Sequence, residues 1–65
     1  MKEELEILEK YIKKKKLKYN EFNELIGNYF VREYEELDDN YYLIKIVRPN
    51  SLKGEVYTDY IKIIN

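Results

Sequence analysis

Apolar residues recur at two different periods along this chain, and the change falls near residue 29. Before it, Leu5, Leu8 and Ile12 keep helical spacing, with Ile7 and Tyr11 widening the stripe. The pattern predicts a helix over 3–17. Glu3, Glu4 and Glu6 in its first turns and Lys13 to Lys16 in its last complement the helix dipole. Asn20 is a good N-cap for a second helix, whose apolar side is Phe22, Leu25 and Ile26. Gly27 is the natural residue to end it in a left-handed conformation.

From Tyr29 onward the period shortens. Tyr29 to Tyr34 is rich in β-formers, and Tyr41 to Arg48 is the strongest strand signal in the chain. Asp38-Asp39-Asn40 between them is a tight turn whose Asn tolerates positive φ. Pro49 ends the second run, residues 50–54 form a loop with Gly54 near its exit, and Glu55 to Ile64 is a third strand. The expected fold is α+β. Two N-terminal helices, long then short, pack on one face of a three-stranded antiparallel meander in the order α-α-β-β-β. Residues 1–65 make a single domain.

Alternation divides the meander into two faces. With Arg48 placed opposite Glu55, one face carries Tyr42, Ile44, Ile46, Tyr57, Ile61 and Ile63, with Val31, and is the expected core. The other carries Arg32, Tyr34, Tyr41, Leu43, Lys45, Val47, Val56, Thr58, Tyr60 and Lys62. A one-residue slip would exchange the faces of the last strand. In any register Tyr41 to Val47 is nearly continuously apolar, and such strands are usually covered on both sides. Two helices cover one face. The surplus apolar surface therefore points to an interface, with a partner or with a second copy.

Length and composition narrow the chemistry. A 65-residue chain buries only about 60% of its unfolded surface. It has no Cys and no His, so it lacks disulfides, thiolate metal sites and the commonest acid–base group. Ser51 and Thr58 stand alone, without a neighbouring base, and so small a domain has little room for a buried pocket of ~300 Å³ or more. No enzyme, metal or cofactor is expected. A charged N-terminus and the lack of any run near ~18 apolar residues argue against a signal peptide or membrane span, and a Cys-free chain fits the cytoplasm. The absence of Ala and the abundance of Lys, Ile, Tyr and Asn are the footprint of an AT-rich genome, so part of the tyrosine content is coding bias.

The net charge of −1 is unevenly placed: residues 1–20 carry a net +3 and residues 21–65 a net −4. Three patches compete for a role. Lys13, Lys14, Lys15, Lys16 and Lys18 suit phosphates, although a lysine-rich helix terminus is ordinary. Tyr34, Tyr41 and Tyr60 beside Arg32, Lys45 and Lys62 suit stacked bases of single-stranded nucleic acid. Glu33, Glu35, Glu36, Asp38 and Asp39 beside tyrosines suit a basic groove on another protein, although acidic hairpins also serve solubility and discourage edge pairing. A winged helix-turn-helix is disfavoured, because the segment from Phe22 to Phe30 that would have to supply its recognition helix brings Glu21 and Glu24 and no cation before Arg32. The favoured expectation is a small non-enzymatic protein-binding module, of the kind phages and mobile elements use to inhibit a host factor. Its candidate residues are Tyr34, Glu35, Glu36, Asp38, Asp39, Tyr41, Leu43, Val47 and Tyr60. Nucleic-acid binding through Lys13–Lys18 or the tyrosine face is the alternative.

Overall fold

The computed structural model describes residues 2–48 and 55–64. The elements run α1 (Lys2–Lys14), β1 (Lys16–Leu17), α2 (Tyr19–Ile26), β2 (Val31–Glu36), β3 (Tyr41–Val47) and β4 (Val56–Ile63). Pro49 and the expected loop at 50–54 lie outside the described residues.

Helix α1 stops at Lys14, three residues before its expected end at Leu17. Lys15 adopts φ 64°, and its N–H donates to the Tyr11 carbonyl at 3.1 Å. A single left-handed residue with this bond is a common helix stop. The reversal sends Lys16 and Leu17 alongside the end of β4. Lys62 N–H donates to the Lys15 carbonyl, and Ile64 N–H to that of Leu17, both at 2.9 Å. The sheet is therefore four-stranded and mixed, in the order β1-β4-β3-β2, with β1 parallel to β4 and the other pairs antiparallel. This corrects the expected three-stranded meander. Two residues are too few to show a period, so β1 leaves no pattern in the sequence.

Helix α2 opens at Lys18, not Asn20. The Lys18 N–H donates to Glu21 Oε1 at 2.9 Å, which satisfies a terminal donor from three residues inside the helix. The helix ends at Gly27 as expected, but φ there is −84°, so no left-handed residue is used. The last turn tightens instead, with Asn28 N–H on the Leu25 carbonyl at 3.0 Å. Asn28 is buried. Its Nδ2 donates to the Glu4 carbonyl of α1 at 2.8 Å, and its Oδ1 accepts from Phe30 N–H at 3.0 Å. This side chain ties the start of α1 to the start of β2.

Strands β3 and β4 pair with Val47 opposite Val56 and Ile44 opposite Asp59, the register that continues from Arg48 facing Glu55. Between them β2 and β3 turn through Asp39 (φ 60°) and Asn40 (φ 63°). Two successive left-handed residues are what a type I′ hairpin requires. Ile44, Ile46, Ile61 and Ile63 point under the helices and join Leu8, Tyr11, Ile12, Leu17, Phe22, Leu25 and Phe30 in one core. Tyr57 shares their face but is 43% exposed at the far end of β4. There the Arg48 guanidinium stacks 6.0 Å from its ring and pairs with Glu9 of α1.

One irregularity changes the faces of β2. Its register to β3 shifts between Val31 and Glu33, so Arg32 is an extra residue in a bulge. Val31 stays opposite Ile46, but Tyr34 now faces Ile44, and Glu35 faces Leu43. Tyr34 is thereby moved off the outer face, where strict alternation placed it. Its ring meets Phe22 edge-on at 5.9 Å and Tyr42 at 6.2 Å.

Candidate functional site: the open face of the sheet

Both helices pack on one side, so the other side of the sheet is open. The register assembles it row by row. Lys16, Lys62 and Tyr41 lie across one end. Tyr60, Leu43 and Glu35 come next, then Thr58, Lys45 and Glu33, then Val56 and Val47. Leu43 and Val47 are half-buried by their neighbours, whereas Tyr60 is 60% and Val56 53% exposed. None of these side chains belongs to the core.

Charge is sorted across this face. Glu33 and Glu35 lie on the β2 side. Lys45 reaches from β3 to Glu33 at 2.9 Å, and that hydrogen bond with its charge raises the Lys45 pKa. The opposite corner is basic. Lys62 Nζ stands 5.0 Å over the Tyr41 ring and 3.8 Å from Asp39. Lys15 Nζ is 3.3 Å from Asp59. Lys15, Lys16, Tyr41, Thr58, Asp59, Tyr60 and Lys62 surround a shallow hollow of about 380 Å³. Its mixture of ammonium groups and ring faces suits anionic or aromatic groups of a partner.

The lysine run does not act as one patch. Lys13 and Lys14 end α1, Lys15 makes the reversal, Lys16 is in β1, and Lys18 precedes α2. Lys14 Nζ holds Glu21 at 2.7 Å. That bond, with the Lys18 N–H, lowers the Glu21 pKa. Of the run, Lys15 and Lys16 border the hollow, while Lys14 is drawn toward α2.

The candidate partner-binding residues divide in the same way. Tyr41, Leu43, Val47, Tyr60 and Glu35 share the open face. Glu36 sits opposite Tyr42 on the covered side, where burial first and the Glu36 charge second raise the Tyr42 pKa. Asp38 and Asp39 occupy the exposed turn beyond the end of the face. Sequence alternation missed the approach of Lys16 to Lys62, because it depends on β1. Among the described residues no group of three or more His, Cys, Asp or Glu side chains is placed to hold a metal ion, and no helix is long and apolar enough to cross a membrane.

The fold and this face define a small α+β domain with one open sheet surface. No protein-family model matches the chain, and no curated protein or solved structure matches it significantly.

Proposed function

We propose that the protein is a non-enzymatic binding module that docks a protein partner on the open face of its sheet. The observation that carries this reading is the one-sided placement of both helices, which leaves Tyr41, Val56 and Tyr60 exposed and Leu43 and Val47 half-buried on the other side. Exposed apolar and aromatic surface rimmed by charge is the usual composition of an interface centre. Here Glu33 and Glu35 rim one side and Lys16 and Lys62 the other. Such opposed charges orient a partner and speed its capture.

The test is partner recovery from extracts of the source cells, with wild type beside Leu43→Lys and Tyr60→Ser. The expected result is one protein recovered by wild type at stoichiometric yield and lost with either variant, both variants remaining folded by circular dichroism. Undiminished recovery by both variants would rule out the open face. A second reading, single-stranded nucleic acid on the same face, is favoured by one observation: Lys15, Lys16 and Lys62 border a hollow with Tyr41 and Tyr60. It predicts fluorescence anisotropy changes with single-stranded oligonucleotides that fall steeply as salt rises. A protein-binding face gives none.

A further inference from the structure

The two lateral edges of the sheet are built differently. Strand β2 forms one edge and is guarded: it carries Arg32, Glu33, Glu35 and Glu36, and the bulge at Arg32 interrupts its outline. Charged side chains and bulges are the usual means of preventing strand addition. The other edge begins with β1, but β1 pairs only with Lys62 and Ile63. The rest of β4, Val56 to Tyr60, has β3 on one side and no strand among the described residues on the other. This segment reads Val-Tyr-Thr-Asp-Tyr: its single charge, Asp59, is paired with Lys15 at 3.3 Å, and it contains no Pro and no bulge.

The backbone of that segment is aimed outward at alternate residues. Lys62 and Ile64 send their N–H groups to β1, while Ile63 sends its N–H to the Asn40 carbonyl on the β3 side. Backbone groups alternate along a strand, so Val56, Thr58 and Tyr60 present their N–H and C=O groups to the open edge.

We propose that a second copy of this chain docks there, β4 against β4 in antiparallel pairing, on a two-fold axis at Thr58. It rests on the reading above only in taking the sheet as protein-binding; the surface is the edge and not the face. This register places Thr58 opposite Thr58, and Val56 opposite Tyr60, in both directions. All three outward residues fall in hydrogen-bonded pairs, giving roughly six bonds across the axis. The side chains are self-complementary. Asp59 faces Tyr57 of the second copy, so its carboxylate never meets its own image. Glu55 of the second copy falls one residue short of the Lys62–Lys16 row, beside Lys15. Beta-branched and aromatic pairs, here Val56 with Tyr60, are favoured across antiparallel strands. Shifting the axis to Tyr57 would bring residue 54 opposite Tyr60, outside the described strand. Shifting it to Asp59 would set that acid against itself and drive Val56 into the position of β1. The Thr58 axis uses the whole open segment and leaves β1 in place as long as the pairing ends at Glu55, opposite Ile61 and just before the Lys16–Lys62 pair. The two sheets then join with their helices on the same side, and the open faces become one continuous surface.

The chain has no Cys, so a single introduced thiol reports the register directly. Hydrogen-bonded antiparallel pairs stand about 5.5 Å apart at Cα, inside the range of about 4.4–6.8 Å that a disulfide spans. On mild oxidation Thr58→Cys is expected to form a covalent dimer nearly completely. Val56→Cys and Tyr60→Cys are each expected to stay monomeric alone and to cross-link when mixed. Analytical ultracentrifugation of wild type is expected to show a monomer–dimer equilibrium in the micromolar range. Thr58→Pro should shift it to monomer, since that N–H is not part of the β3 ladder. A wild-type monomer at concentrations up to about 1 mM overturns the proposal. So does cross-linking of Val56→Cys as efficient as that of Thr58→Cys. Leu43→Lys separates the two surfaces: it should leave the dimer intact while abolishing capture on the face.

Discussion

Glu21 occupies a crossing point that a helix-propensity argument would overlook. One carboxylate oxygen accepts from the Lys18 N–H at 2.9 Å and the other from Lys14 Nζ at 2.7 Å. The first bond caps α2 and the second ties α2 to the end of α1, across the reversal at Lys15. Both bonds favour the ionised form, the Lys14 bond most, so the folded pKa lies below the ordinary carboxylate value of 4.5. The stabilisation is present above pH 4.5 and is lost as pH falls through the lowered folded value. Replacing Glu21 by Gln keeps an acceptor but removes the charge. The variant should be less stable than wild type at neutral pH, and the gap should narrow steadily below pH 4.5. Urea denaturation at a series of acidic pH values measures it; a gap that stays constant through the acid range means that Glu21 is not held ionised by these contacts.

At the scale of elements, the instructive segment is the link from α1 to β1. The apolar stripe of the first helix is plain in the sequence, but the helix expected from it runs to Leu17, three residues past the end of α1. The lysines supplied no breaker, and their positive charge suits a helix terminus, so nothing local announced the stop. The stop is imposed by burial instead. Leu17 is fully buried beside Ile63, a position it reaches only if the chain reverses at Lys15. The left-handed conformation costs a non-glycine residue roughly 1–2 kcal/mol. Lys15→Gly should therefore raise stability by about 0.5–1 kcal/mol after the greater entropy of glycine is subtracted. Loss of the exposed contact to Asp59 offsets little of this. Lys15→Ala, which loses the same charge but keeps the Cβ, should give no gain. Thermal melting of the two variants distinguishes backbone relief from charge removal. The hairpin at Asp39-Asn40 shows the contrary case, because Asn announces positive φ in the sequence and the turn appears where it was expected. The bulge at Arg32 had no such marker: one extra residue reverses Tyr34 and Glu35 between faces, and only the partner strand determines where it falls.

At the scale of the whole molecule, the division of the sheet into a covered and an open face rests on the β3–β4 register. That register was legible only in part: Ile44, Ile46, Ile61 and Ile63 alternate with polar or half-apolar residues, and setting Arg48 opposite Glu55 stacks them together, but a one-residue slip would exchange the faces of β4, and pairing alone decides between the two. What alternation could not supply was the fourth strand, and with it the basic corner where Lys16 meets Lys62. The division makes adjacent residues behave oppositely. Ile44 is fully buried under the helices, and truncation to Ala should cost about 2–5 kcal/mol, enough to leave so small a domain largely unfolded. Leu43, its neighbour in sequence, projects to the open side and contributes nothing to the core. Leu43→Lys should change stability by less than about 0.5–1 kcal/mol, its aliphatic stem lying along Tyr60 and the ammonium near Glu35. Chemical denaturation of the two variants provides the comparison. Equal, large losses at both positions would mean that the second face is also packed in solution, by a partner subunit or by rearrangement of α2. A loss confined to Ile44 leaves Leu43 and its neighbours as surface that the fold does not need, and that surface is then available for binding.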